Sequence, residues 1–177
     1  MTRYEECLSF VLKREGGYCD DPLDHGGATN FGITQRVYDQ FRASCNLPDS
    51  PVRHISPFEV KTIYNASYWS SARCDELTPP IDIVVFDGAV NHGASRMVKM
   101  LQSVVGVDAD GEFGPVTLAA VKEQSKGYMN ATVLADRLIA YREGFYHRIV
   151  ERDASQGRFL NGWINRMSAL RQAIRLA

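Results

Sequence analysis

Between Glu15 and Thr34 the chain reads EGGYCDDPLDHGGATNFGIT. Asp20, Asp21, Pro22, Asp24, Gly26, Gly27, Asn30 and Gly32 crowd into that stretch, and such a density of turn formers excludes a helix from Tyr18 to Ile33. A structured loop or short hairpin is predicted there. The preceding segment has the opposite character. Tyr4, Cys7, Leu8, Val11 and Leu12 recur at helical spacing, and Thr2 with Glu5 three residues later forms a capping box. A first helix is therefore predicted from Arg3 to Arg14 or Glu15, stopped by Gly16-Gly17, because glycine accepts the left-handed conformations of helix ends.

Everything downstream has helical periods. Thr34 caps a second helix bearing Val37, Tyr38 and Phe41, and the turn-rich stretch from Asn46 to Val52 is a connection. Ser56-Pro57-Phe58-Glu59 starts a third helix, with serine as cap, proline at the first helical position and glutamate closing the box; it carries Ile63 and Tyr64 inward. Pro79-Pro80 precedes the apolar run Ile81 to Val90, which fits a buried strand or a buried helix. Helix is preferred, because no second strand of that character exists to pair with it. Met97, Val98, Leu101 and Val105 mark another amphipathic face, GVDADGEFGP is a tight turn, and a further helix begins near Pro115. Two long helices close the sequence, with Arg137, Arg142, Arg148, Arg152, Arg158, Arg166, Arg171 and Arg175 expected on their solvated sides. The fold class is mainly α with one small loop or β-hairpin segment.

The 177 residues carry 20 Lys and Arg against 21 Asp and Glu, a net charge of -1 that supplies no field for nucleic acid. Four scattered cysteines, Cys7, Cys19, Cys45 and Cys74, form neither a disulfide framework nor zinc-ligand spacing, so no metal is implied. Charges at Arg3, Glu5, Glu6, Lys13 and Arg14 interrupt any signal-peptide core, and no run reaches transmembrane length. The expectation is synthesis in the cytoplasm, without stable membrane insertion.

A glutamate closing a helix, followed at once by a loop with further carboxylates and a hydroxyl, supplies what glycosidic hydrolysis needs. One carboxyl gives a proton to the leaving oxygen while a second stays ionised across the sugar. Glu15 fits the first role. Asp24, in a polar loop with backbone N–H groups nearby, fits the second, with Asp20 and Asp21 as alternatives. Tyr18, Tyr68 and Trp69 offer aromatic faces to sugar rings, and Asn91 offers a hydrogen bond to an N-acetyl group; core packing and helix capping are the structural alternatives for these residues. Asp87 is a supporting partner or a cap. His25 beside Asp24 is a solvated loop residue, and Asp108-Ala109-Asp110-Gly111-Glu112 matches a calcium loop only in its first positions.

The pattern EGGY-x-x-D-P-x-D-x-GG-x-TN-x-GIT resembles the N-terminal motif of glycoside hydrolase family 108, N-acetylmuramidases that cleave peptidoglycan. Tyr68-Trp69 and Phe86-Asp87-x-Ala89-Val90-Asn91-x-Gly93 resemble the same family, and GVDADGEFGPVT resembles its C-terminal peptidoglycan-binding region. The resemblance implies a lysozyme-like helical fold, with a catalytic lobe over residues 1–92 and a peptidoglycan-binding lobe over 93–177 packed as one compact unit. It implies Glu15 as the acid, with Asp24 and Thr29 in a triad resembling that of phage-type lysozymes. Thr29 departs in its spacing. Asn30 joins Tyr18, Tyr68, Trp69 and Asn91 as a substrate contact. The implied partner is the peptidoglycan glycan strand, met by a monomer without cofactors in the periplasm or cell wall, after holin-dependent release of a phage endolysin or export of a bacterial enzyme. The rival readings are a lytic transglycosylase, which needs the glutamate but no catalytic aspartate, and a non-catalytic wall-binding or secretion-assisting protein. An anionic cell wall or outer-membrane surface is the partner expected for the basic C-terminal side.

Overall fold

A computed structural model describes residues 1–20 and 27–175. Asp21, Asp24 and His25 lie outside the described residues. The described chain is mainly α, with eight α-helices and one two-stranded antiparallel sheet, the lysozyme-like class expected. It divides into two compact units, Met1–Ser67 and Tyr68–Ala177, with the boundary inside a π-helical turn at Asn65–Ser70. No described helix is long and apolar enough to cross a membrane.

In the first unit, α1 (Arg3–Leu12) begins at the Thr2–Glu5 capping box and buries Tyr4, Cys7, Leu8 and Val11. The helix stops earlier than its sequence pattern suggests. Arg14 N–H bonds to Val11 O at 2.9 Å and Glu15 N–H to Leu12 O at 3.3 Å, so tighter i to i−3 turns carry the chain past Leu12 to Glu15. The hairpin follows as β1 (Thr29–Asn30) and β2 (Ile33–Thr34), with Thr29 opposite Thr34 and Asn30 opposite Ile33. Thr34 ends the hairpin and caps α2 (Gln35–Ser44), its hydroxyl accepting from Val37 N–H. A 3-10 turn at Val52–His54 and α3 (Pro57–Tyr64) complete the unit, α3 starting at the Ser56–Glu59 box.

That box has a second use. Tyr38 of α2 donates its hydroxyl to Glu59 Oε1 at 2.9 Å, and Arg42 pairs with the same carboxylate. Burial alone would raise the Glu59 carboxyl, but bonds from the Ser56 amide and hydroxyl and from Tyr38, with the Arg42 charge, hold it below the usual range.

The second unit is built on α4 (Ile81–His92), where every residue from Ile81 to Ala89 is buried. A helix enclosed on all sides has no polar stripe, which is why the run lacks an amphipathic period. Around it lie α5 (Ala94–Val105), α6 (Pro115–Gln124), α7 (Tyr128–Arg152) and α8 (Gly157–Ile174). The approach of α5 is close: a Cβ at Gly88 would stand 2.0 Å from Met97 Sδ. GVDADGEFGP is a turn gathered on the buried Gln102, whose Nε2 donates to Asp110 Oδ1 at 2.7 Å and to Glu112 O at 3.0 Å, while Oε1 accepts from Gly111 N–H at 2.9 Å.

The C-terminal arginines correct the sequence expectation. Arg142 is fully buried, donating to Asp87 Oδ2 at 2.8 Å and Val84 O at 3.3 Å, and Arg166 donates to Asp87 Oδ1 at 2.7 Å. One buried anion on α4 thus ties down α7 and α8. Arg171 joins Glu143 and Asp136. Three of the eight arginines hold helices together instead of forming a solvated face, because carboxylates one helix away neutralise them.

Candidate active site in the hairpin unit

The hairpin turn is Phe31-Gly32, and both residues have left-handed backbone, φ 50° and 71°. That is the two-residue turn whose twist matches the strands it joins, and glycine takes the second position without strain. The turn is pinned from α3, where the Tyr64 hydroxyl donates to Phe31 O at 2.7 Å. Glu15 comes to the same point. A Cβ built on Gly32 would lie 3.0 Å from Glu15 Oε2 and 3.2 Å from the Tyr64 hydroxyl, so the carboxylate, the phenol and the turn converge where only a hydrogen fits. Glu15 is half-buried there. Sequence spacing puts Tyr64 in the core but gives no hint of its hydroxyl's partner. Gly32, a glycine between Thr29-Asn30 and Ile33-Thr34, is the sequence sign of the turn.

At the open end of the hairpin, Cys19 and Thr29 exchange both backbone bonds, Cys19 N–H to Thr29 O at 2.9 Å and Thr29 N–H to Cys19 O at 2.8 Å. Thr29 is half-buried, two residues before the turn that meets Glu15. Tyr18 is 48% exposed and donates its hydroxyl to Asp20 Oδ2 at 3.2 Å. Loss of hydration and the Asp20 charge push its phenol up, so it remains a proton donor. Asn30 faces inward instead of toward a substrate: it is 7% exposed, and its Nδ2 donates to Val52 O at 3.3 Å and Arg53 O at 3.5 Å, anchoring the hairpin to the Val52–His54 turn.

The other three candidates belong to the second unit. Trp69 is not a stacking platform. It is 2% exposed, its Nε1 donates to Asp75 Oδ1 at 2.7 Å, and its ring meets Phe86 edge-on at 5.3 Å. An indole so enclosed has no free face for a sugar. Tyr68 is half-buried. Asn91 is exposed, within the last turn of α4, with Nδ2 donating to Asp87 O at 2.7 Å.

Residues 8–93 match the family described as Glycosyl hydrolase 108, and residues 96–168 match one described as "Predicted Peptidoglycan domain". No curated protein matches the chain. A solved structure, that of Brucella abortus SagA, is similar at 32% identity and a TM-score of 0.78, over 98% of this chain and 94% of that one. The Glu15 motif, the hairpin and α4 all fall inside the first matched region, and α7 with most of α8 falls inside the second. The chain belongs to the glycosyl hydrolase 108 family, and its glycosidase region followed by a peptidoglycan domain makes it a peptidoglycan hydrolase.

Proposed function

We propose that the enzyme is an N-acetylmuramidase, hydrolysing the β-1,4 bond between N-acetylmuramic acid and N-acetylglucosamine with Glu15 as general acid. The observation that carries this reading is the seating of the Glu15 carboxylate against Gly32 and beside the Tyr64 hydroxyl, inside the glycosidase-family region. In the proposed reaction Glu15 protonates the glycosidic oxygen as its bond to the anomeric carbon breaks. Positive charge develops on the sugar, and Asp24 stabilises it and orients the water that attacks, with Thr29 assisting. Tyr18 offers its ring and phenol to the glycan, and Tyr68 and Asn91 are the further candidate sugar contacts. Asn30 acts through the scaffold.

The test is lysis of purified sacculi by the wild type, Glu15→Gln and Asp24→Asn. Loss of a general acid lowers the rate on the order of a hundredfold to ten-thousandfold, and Glu15→Gln is expected in that range. Full activity in Glu15→Gln would overturn the assignment. Mass spectra of the digest are expected to contain reducing muramic acid ends; 1,6-anhydro ends would instead identify a lytic transglycosylase.

A further inference from the structure

Arg53 lies on the Val52–His54 turn, in the same unit as the hairpin, and it is exposed. Backbone atoms fasten this turn to the hairpin: Asn30 Nδ2 donates to Val52 O at 3.3 Å and to Arg53 O at 3.5 Å. The Arg53 side chain has no part in that anchorage. Its Nε donates to His54 Nε2 at 3.2 Å, which steadies the guanidinium at its root and leaves the two terminal nitrogens for other work. Among the described residues no carboxylate pairs with Arg53, whereas Arg42 and Lys61 of the same unit are matched by Glu59 and Glu5. The Arg53 charge also reaches Tyr18, drawing the phenol down against the burial and the Asp20 charge that push it up.

The glycan strand of peptidoglycan alternates two sugars that differ in one group, the lactyl ether of muramic acid. N-acetylglucosamine is neutral. The lactyl arm brings a carboxylate, its own when the arm is free and those of the stem peptide when the arm is amidated. A strand can therefore enter a site in two registers, one presenting the muramyl bond to the general acid and the other the glucosaminyl bond. Hydroxyls and N-acetyl groups are common to both sugars and cannot separate the registers, but a cation can. Arginine suits the task, because its planar fork meets both oxygens of a carboxylate. Asn30, which holds the Arg53 turn, stands two residues before Gly32, where Glu15 Oε2 comes to lie. The rise of a strand makes that about 7 Å along the hairpin, on the scale of one sugar residue.

We propose that Arg53 sets the register of the glycan by binding the carboxylate on the lactyl arm of N-acetylmuramic acid, as a specificity-determining residue of the cleavage. The proposal rests on the muramidase reading, with Tyr18 against the glycan.

The probe is the tetrasaccharide of alternating N-acetylglucosamine and N-acetylmuramic acid in three forms. One has free lactyl carboxylates, one has them capped as methylamides, and one carries L-alanyl-γ-D-glutamate on the lactyl arms. Each is titrated calorimetrically into full-length Glu15→Gln, Glu15→Gln/Arg53→Gln and Glu15→Gln/Arg53→Lys. Glu15→Gln is expected to bind at least one anionic form about tenfold more tightly than the capped form, as a charge-assisted hydrogen bond implies. Whichever anionic form is preferred identifies the carboxylate that is read. Adding Arg53→Gln is expected to erase the preference and leave the capped form bound as before, and Arg53→Lys, which keeps the charge, to retain part of it. Equal loss for all three forms in Arg53→Gln would mark a merely structural role and overturn the proposal, as would no binding, or no preference, in Glu15→Gln. Sacculus lysis is read separately: lysis that survives Glu15→Gln sinks the muramidase reading, whereas Glu15-dependent lysis without a carboxylate preference sinks only the assignment of Arg53.

Discussion

Glu15 is singled out by the sequence as the candidate acid, while its setting is not legible there. The EGG motif singles it out, but the groups its carboxylate comes to lie near, a hairpin turn 17 residues later and a tyrosine on α3, are not in that motif. Gly32→Ala tests that setting. Alanine in the left-handed region costs about 1–2 kcal/mol. Its methyl would also press on Glu15 Oε2, and displacement of a catalytic group by roughly 1 Å costs on the order of a hundredfold in rate. The variant is expected to fold, with lower stability, and to lose most lysis; undiminished lysis would show that the Glu15–Gly32 contact is incidental. Tyr64→Phe deletes the bond to Phe31 O, and a loss of about 1 kcal/mol or more is expected in denaturant unfolding. The Tyr64 hydroxyl was invisible beforehand because periodicity reports which way a residue faces and says nothing of the atom at its tip. The same blindness affected Trp69, an aromatic beside a tyrosine whose sequence context could not separate a sugar platform from a core ring sealed by Asp75 and Phe86.

Helix starts were the most legible elements, because capping is local chemistry. Thr2–Glu5, Thr34, Ser56–Glu59 and Pro115 all begin helices where their residue types require. Ser56→Ala is therefore expected to cost about 1 kcal/mol, read as a lower unfolding midpoint. Long-range charge pairing was not legible. Eight arginines at helical spacing imply a basic face only if no partner waits across the fold, and Asp87 is such a partner for two of them. Asp87→Asn leaves the buried Arg142 cation uncompensated, for which a destabilisation of about 3–5 kcal/mol is expected. Thermal unfolding close to that of the wild type would refute the view that this anion ties α4, α7 and α8 together.

Taken whole, the molecule should respond to acid in two steps set by different groups. His92 in the second unit is held down to about 3, first by burial and then by the Arg142 charge, against an ordinary 6.5. The unfolded chain binds that proton and the folded one does not, so stability is full above pH 6.5 and declines as pH falls toward 3. In the first unit the Glu59 carboxyl is held low, so its contribution persists down to the ordinary glutamate range and is lost only below it. Both tryptophans, Trp69 and Trp163, lie in the second unit, so fluorescence reports that unit while amide exchange in α1 to α3 reports the other. Fluorescence-monitored stability is expected to fall from pH 6.5 downward, ahead of exchange protection in α1 to α3. The reverse order would contradict this assignment.

The paired backbone bonds between Cys19 and Thr29 have a consequence for protein engineering. They join Cys19 to Thr29 through main-chain atoms alone, independent of the side chain of either residue. Replacing either side chain therefore leaves in place the amide and carbonyl that make the bonds, and only proline would remove a donor. Cys19→Ser, which takes away an exposed thiol, is thus expected to keep the pairing and to remove a point of oxidation without disturbing the hairpin.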